Sequence, residues 1–331
     1  MKNLTIGKIR GLQQISRSSG IFIMCAMDHR AGLISMIEEA QHDAPDYNEI
    51  VSVKLDMCAA IGRYASGVLL DPEYGAAQCI AANVLTGRTG LLVSVEATGY
   101  EKDPMGRLTT LLKGWSVEKI KRMGAQAVKM LVYYRPDIKK LAARQLKIIA
   151  RVADDCLKYD IPFLVEPKTY RIEGESMGSA EFAERLPEMV IETARQITAL
   201  PVDVLKAEFP ADMKYDKDVS ELAEYCKQLD AASRVPWVIL SAGVDYETFR
   251  DEVTIASRAG ASGFLGGRAI WQEAMQIADR EKRVTYFKEV AGKRLEELAA
   301  IAEKYGRPWH QKLGLDTSRL VETDRDWYRK Y

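Results

Sequence analysis

Lys206 stands in the middle of Val202-Asp203-Val204-Leu205-Lys206-Ala207-Glu208-Phe209-Pro210, a stretch that reads as a buried strand. Side chains alternate across a strand, so Val204, Lys206 and Glu208 share one face and Leu205, Ala207 and Phe209 the other. Pro210 cannot extend a ladder and is expected to end the strand. Desolvating an ammonium is expensive, so lysine is rarely buried for stability alone. An amine whose pKa is pushed down can attack a carbonyl carbon and form a Schiff base. On this strand alone, a structural ion pair between Lys206 and a neighbouring acid is an equal reading.

Other reactive side chains fall at the ends of apolar runs: Asp28, Asp71, Glu96, Lys129, Glu166, Lys168, Glu208, Ser241 and Arg268. Parity groups Met24, Ala26 and Asp28 on one face, Ala127, Lys129 and Leu131 on another, and Leu164, Glu166 and Lys168 on a third. If these faces meet, three lysines and several acids converge, which favours an active site over isolated ion pairs. Lys129 and Lys168 beside Lys206 are then expected to lower its pKa and free the amine. Glu166 becomes the natural general acid/base, with Asp28 and Glu96 as substitutes. Ser241-Ala242-Gly243 and Gly266-Gly267-Arg268 offer small residues whose N–H groups can approach an anion, plus a guanidinium, which favours phosphate over a plain tight turn. The histidines His29, His42 and His310 are far apart and lack H-x-H or H-E-x-x-H spacing, so no metal is expected.

These residues need a scaffold that gathers strand ends. Eight apolar runs read as strands: Ile21 to Asp28, Ser66 to Leu70, Leu91 to Val95, Ala125 to Tyr133, Pro162 to Val165, Val202 to Phe209, Trp237 to Leu240 and Ser262 to Leu265. Each leads to a helical stretch, including a strongly amphipathic one from Lys139 to Tyr159. Glu101 to Gly114 reads as a long polar loop, Tyr170 to Ser179 as a mobile one, and Val284 to Tyr305 as a last long helix. The tail from Gly306 to Tyr331 has no clear period. Alternating strand and helix implies right-handed βαβ units and a parallel sheet. Eight units in ~270 residues predict an α/β fold, a single (β/α)8 TIM barrel over about 20–280, with a C-terminal helix and tail over 281–331. A doubly wound sheet lacks its G-x-G-x-x-G turn here. In such a barrel, chemistry sits at the C-terminal strand ends, and phosphate often binds at the last two.

Composition narrows the function classes. The 331 residues carry 47 basic and 47 acidic side chains. That balance argues against a general nucleic-acid or anionic-membrane binder. Met1 to Gly20 is polar, without the apolar core of a secretory signal, and Ile21 to Met27 is too short to span a bilayer. Five scattered cysteines without a C-x-x-C pair read as reduced thiols, so a cytoplasmic protein is expected.

With the motifs in place, the sequence resembles the class I, Schiff-base tagatose 1,6-bisphosphate aldolases of bacterial lactose and galactose catabolism. The likeness rests on Met27-Asp28-His29-Arg30, Leu69-Leu70-Asp71-Pro72-Glu73-Tyr74-Gly75, Val128-Lys129-Met130-Leu131, Val165-Glu166-Pro167, Asp203-Val204-Leu205-Lys206, Leu240-Ser241-Ala242-Gly243 and Gly267-Arg268-Ala269, in order over roughly residues 15 to 310. It implies that Lys206 forms the imine and Glu166 shuttles the proton. Asp28 and Lys129 line the site, and Arg268 helps hold phosphate. Where relatives usually carry glutamine, this chain has His29. Substrate-binding residues are thus expected to be Asp28, His29, Arg30, Lys129, Ser241, Gly243, Gly267 and Arg268, with no metal or cofactor. His29 when protonated, Arg30, and Arg63 or Arg107 are the candidate cations for the far end of the substrate. The expected substrate is a phosphorylated ketose: tagatose 1,6-bisphosphate, with fructose 1,6-bisphosphate beside it. A 6-deoxy-6-sulfofructose 1-phosphate aldolase and a non-catalytic sugar-phosphate-binding regulator are the alternatives. A homo-oligomer, dimer or tetramer, is expected.

Overall fold

The structure, a computed structural model, describes residues 4–85, 87–315, 320 and 323–331. Eight parallel strands close into a barrel: β1 (Phe22–Ala26), β2 (Gly67–Leu70), β3 (Gly90–Ser94), β6 (Ala127–Tyr133), β7 (Phe163–Lys168), β8 (Val204–Ala207), β9 (Trp237–Leu240) and β10 (Gly263–Gly266). Around the barrel they run β1-β10-β9-β8-β7-β6-β3-β2. The remaining pair, β4 (Glu101–Asp103) and β5 (Gly106–Leu108), forms a hairpin outside it. Nearly every barrel-strand residue is buried, as expected of strands covered on both faces.

Parity sorts the strand residues as the sequence implied. Phe22, Met24, Ala26, Leu69, Leu92, Ala127, Leu164, Val204, Val238 and Leu265 form one apolar cluster inside the barrel. Ile23, Cys25, Val68, Val93, Val128, Val165, Leu205 and Ile239 belong to the outer core against the helices. The outer layer includes α2 (Ala31–Gln41), α3 (Tyr47–Ile61), α4 (Ala76–Ala81), α5 (Val117–Arg122), α6 (Lys139–Lys158), α7 (Ala180–Ile197), α8 (Val219–Ala232) and α9 (Tyr246–Arg258), followed by α10 (Arg268–Trp271), α11 (Arg280–Tyr286) and α12 (Gly292–Tyr305). All five cysteines are buried and unpaired. No helix of the described residues is long and apolar enough to cross a membrane.

Several elements depart from the sequence expectation. Within the polar N-terminal stretch, α1 (Ile6–Gln14) closes the barrel bottom, its Ile9 and Leu12 packing with Ile15 and Trp309 into the inner cluster. Only three apolar side chains, Ile6, Ile9 and Leu12, mark it, too few for a clear period. Strand β8 is shorter than expected at both ends and stops three residues before Pro210. After Ala207 the chain leaves the ladder, and the Glu208 carboxylate turns to Lys168 and the Thr169 N–H. Strand β7 instead runs on through Pro167. Its pairing with β8 covers only Leu164 and Val165, so a residue lacking N–H is tolerated beyond that point. The long polar loop contains the β4–β5 hairpin. The last long helix begins at Arg280 and passes through a π-helical stretch at Phe287–Ala291, which keeps Phe287, Ala291 and Leu295 all facing the core. In the tail, residues 316–319 and 321–322 lie outside the described residues.

Candidate active site

Register decides which charges meet. Leu164 pairs with Val204, so two residues higher Glu166 and Lys206 stand at one level on adjacent strands. Lys129 pairs with Ser94 on one side and Leu164 on the other, which sets it one layer below. Glu166 bridges the two lysines: Oε1 lies 2.9 Å from Lys206 Nζ and Oε2 lies 3.0 Å from Lys129 Nζ. Lys129 also holds Asp28 at 2.7 Å and Glu96 at 2.7 Å. Both lysines and all three acids are almost wholly shielded from solvent.

This arrangement sets the protonation states. Burial works against ionisation of Glu166, but Lys129 and Lys206 outweigh it and bring its pKa down to about 2. Asp28 is likewise held well below the usual carboxylate range, burial being overcome by Lys129 and Lys206. Burial opposes the charge on Lys129, yet Asp28, Glu166 and Glu96 hold its pKa well above that of a free lysine. Lys129 is therefore a fixed cation.

The expected role of Lys129 and Lys168 in freeing the Lys206 amine does not survive the geometry. Lys129 is surrounded by three carboxylates, and Lys168 is ion-paired with Glu208 at the rim. Neither presents Lys206 with an uncompensated positive charge. The nearest ionic partner of Lys206 is Glu166. Asp71 leaves the cluster altogether: it pairs with Lys54, which also donates to the Met27 and His29 carbonyls at 2.8 Å each.

Two cavities share this centre. A cavity of about 340 Å³ is walled by Lys206, Glu166, His29, Ser241, Gly243, Gly267 and Arg268, and further by Leu131, Tyr133, Lys168, Tyr170, Arg107 and Arg171. A second of about 320 Å³ is lined by Asp28, Arg30, Glu96 and Lys129, and again by His29, Tyr133, Glu166 and Lys206. The Lys206–Glu166 pair thus forms part of the wall of both.

The loops after β9 and β10 meet as expected. Ala242 and Gly243 both have positive φ, 48° and 89°, an unusual conformation for alanine. A Cβ on Gly243 would lie 2.9 Å from Arg268 Cζ, so only glycine lets the guanidinium rest there. Arg268 donates to the Ala242 carbonyl at 3.2 Å, and the Gly267 N–H donates to Ser241 Oγ at 3.2 Å. Small backbone, hydroxyl and guanidinium converge on the first cavity.

Three of the expected cations are not available. Burial, reinforced by Arg268, Lys206 and Lys54, outweighs Asp28 and brings the His29 pKa down to about 3, so His29 is neutral near pH 7. Its ring packs edge-on against Trp271, and Nδ1 is buried without a hydrogen-bond partner. Arg30 donates to Glu73 at 2.8 Å and to the Glu96 carbonyl at 2.9 Å, so its charge is committed to bracing loops. Arg63 follows α3 ahead of β2, away from the strand C-termini, and bonds Tyr64 Oη. Arg107 does reach the cavity. Tyr133, Tyr170 and Arg171 line it too and were not singled out in the sequence. The Tyr133 signal was available, since it continues the inward face of Ala127, Lys129 and Leu131.

Comparison with known proteins adds to this picture. The pattern of the family described as "DeoC/LacD family aldolase" matches residues 22–273. The tagatose 1,6-diphosphate aldolase of Staphylococcus aureus (strain JH9) is 35% identical over 327 residues, spanning 92% of this chain and 98% of that protein. Among solved structures, the fructose-bisphosphate aldolase of Plasmodium falciparum aligns with a TM-score of 0.71 at 15% identity, over 92% of this chain and 95% of that one. An archaeal fructose 1,6-bisphosphate aldolase aligns with a TM-score of 0.57 at 20% identity, over 89% and 98%. At such identities the two structures bear on the fold alone.

Proposed function

The chain belongs to the DeoC/LacD family of aldolases, and from that premise we propose that it cleaves a ketose 1,6-bisphosphate, D-tagatose 1,6-bisphosphate foremost, by imine chemistry on Lys206. The observation that carries the reading is the Glu166 carboxylate set between Lys206 and Lys129 on the wall of a cavity that also contains Arg268. The substrate class follows the Staphylococcus aureus relative, and fructose 1,6-bisphosphate, its C4 epimer, is a second substrate.

Lys206 passes a proton to Glu166 and its amine adds to the C2 ketone; Glu166 returns that proton to the carbinolamine hydroxyl, which leaves as water and gives an iminium. Glu166 takes the proton of the C4 hydroxyl as the C3–C4 bond breaks. The bonding pair flows into the iminium, leaving a neutral enamine of dihydroxyacetone phosphate and free glyceraldehyde 3-phosphate. Protonation at C3 and hydrolysis return the lysine and release dihydroxyacetone phosphate. Glu166 has a pKa of about 2 beside two cations. When the iminium becomes an enamine, one of those cations vanishes, so the carboxylate gains proton affinity in the step that delivers the proton to it. Lys129 remains charged throughout and holds Asp28 and Glu166 in place. Ser241, Gly243, Gly267 and Arg268 hold the 1-phosphate.

A bisphosphorylated sugar does not cross a bilayer unaided, and five unpaired thiols suit a reducing compartment; both support a cytoplasmic setting. Borohydride added with dihydroxyacetone phosphate should inactivate the protein and add the mass of the reduced adduct to Lys206. An adduct on Lys129 or Lys168, or none, refutes the nucleophile. Parallel kcat/KM measurements on tagatose and fructose bisphosphates and 6-deoxy-6-sulfofructose 1-phosphate rank the substrates. A tenfold preference for the sulfonate, ~1.4 kcal/mol, would replace the bisphosphate reading and keep the imine.

A further inference from the structure

We infer that Arg107, together with Arg171, forms a second anion subsite that takes the distal phosphate of the substrate, at the other end of the cavity from Arg268. The inference rests on the bisphosphate reading above and assigns the residues that read it.

The topology supplies the spacing. The loops after β9 and β10, with Ser241 and Arg268, lie across the barrel from β3 and β6. Lys206 on β8 and Glu166 on β7 come between them. The β4–β5 hairpin emerges after β3, and Arg107 lies over the ring of Tyr133 at the end of β6. A chain-like substrate bound at C2 by Lys206 can therefore extend one end to each side.

Arg107 is held with unusual care for a residue on a hairpin. Its guanidinium lies 4.5 Å from the centre of the Tyr100 ring and 5.4 Å from those of Tyr133 and Tyr170. Buried Gln145 on α6 donates from one amide nitrogen to the Arg107 carbonyl at 3.1 Å and the Tyr133 carbonyl at 2.8 Å. Thr109 Oγ1 accepts the Tyr133 N–H at 2.9 Å, and Arg144 pairs with Asp103. Gly106 has φ 148°, and a Cβ there would lie 2.4 Å from Tyr170 Oη, so glycine lets the hairpin seat on that ring.

What the guanidinium lacks is an anion. Two of the nearby acids are committed elsewhere: Asp103 to Arg144, and Glu175 to Arg135 and Arg185. Among the described residues, neither Arg107 nor Arg171 has a carboxylate partner. Both line the cavity of Lys206 and also an outer cleft of about 810 Å³, so they stand at the threshold between the two. Glu173 and Glu175 line only the outer cleft, which leaves the inner side of the threshold cationic. Two guanidiniums from different loops suit a tetrahedral dianion, and three flat rings hold one of them without neutralising it. With His29 neutral and Arg30 paired, these are the cations left for the distal group.

The test is the ratio of kcat/KM for fructose 1,6-bisphosphate to that for fructose 1-phosphate. In Arg107→Met, which keeps an apolar stem against the rings, the ratio should fall by roughly 10- to 150-fold, the range of one charge-assisted hydrogen bond, through KM on the bisphosphate. Arg171→Gln changes an exposed side chain and serves where Arg107→Met folds poorly; its ratio should fall in the same direction. An unchanged ratio in both variants overturns the subsite, even if both substrates lose equally. A wild type that cleaves neither of these nor tagatose 1,6-bisphosphate overturns the bisphosphate reading itself. Running 6-deoxy-6-sulfofructose 1-phosphate alongside identifies the anion: a larger Arg107→Met loss on the sulfonate than on the bisphosphate keeps the subsite and assigns it to sulfonate.

Discussion

Two lysines are buried at opposite ends of the same barrel, and their surroundings differ in kind. At the bottom, Lys8 on α1 pairs with Asp203 at 2.8 Å, and Asp203 also accepts the Phe163 N–H at 2.8 Å. One cation meets one acid, the acid's second task is structural, and neither residue lines the cavities described above. At the top, Lys206 shares the two-oxygen Glu166 with Lys129, which in turn holds Asp28 and Glu96. Charge there is shared among strands, and both Lys206 and Glu166 face cavities. Lys54 with Asp71 repeats the bottom pattern behind the strands. Burial of a lysine is therefore a weak indicator by itself. Access to a cavity, together with a partner carboxylate that has a second cation to lean on, separates the lysine proposed as nucleophile from the structural ones.

Substitution at the two ends should break different properties. The largest effect is expected from Lys206→Met, which removes the covalent route and should lower kcat by ~10⁴-fold or more while leaving the fold intact. Residual turnover above that level, measured with coupled release of glyceraldehyde 3-phosphate, would move the nucleophile elsewhere. Glu166→Gln should slow turnover by ~10² to 10⁴, the range for a positioned general acid/base, yet still permit slow adduct formation with borohydride. A near wild-type kcat would transfer the role to Asp28 or Glu96.

Lys8→Met is the counterpart at the bottom. It leaves Asp203 buried without its cation and should cost about 3 kcal/mol in denaturant unfolding, with kcat unchanged. A loss of kcat without loss of stability would erase the distinction between the two ends. The smallest effect concerns His29. The native state keeps it neutral down to about pH 3, whereas an unfolded chain protonates it near its ordinary value of 6.5. Its contribution is thus fully present above about pH 6.5 and is lost as pH falls towards 3. His29→Gln should flatten the dependence of Tm on pH across that window. An unaltered slope would show that His29 is not held neutral.

The same contrast explains what could be read in advance. Strand–helix alternation and inward parity depend on neighbours in sequence, and both are legible: Met24 and Ala26, Ala127 and Lys129, and Leu164 and Glu166 all face inward as parity requires. Pairing partners were less legible. Lys168 went to Glu208, Asp71 to Lys54 and Arg30 to Glu73, because which charges meet depends on register and helix docking.

The sequence by itself determined the barrel, the inward face of each strand, and the presence of Lys206, Glu166 and Lys129 together at one end. Period-two alternation and strand order are local properties of the chain, and a closed parallel sheet leaves little freedom once they are set. Only the tertiary structure decided that Glu166 would bridge two lysines, that burial would keep His29 neutral, and that the polar stretch after β3 would fold into a hairpin bringing Arg107 over three tyrosines. Those outcomes depend on contacts such as Lys129 with Asp28 and Gln145 with the Arg107 carbonyl, between residues far apart along the chain, and on the low dielectric that forms only when the barrel closes.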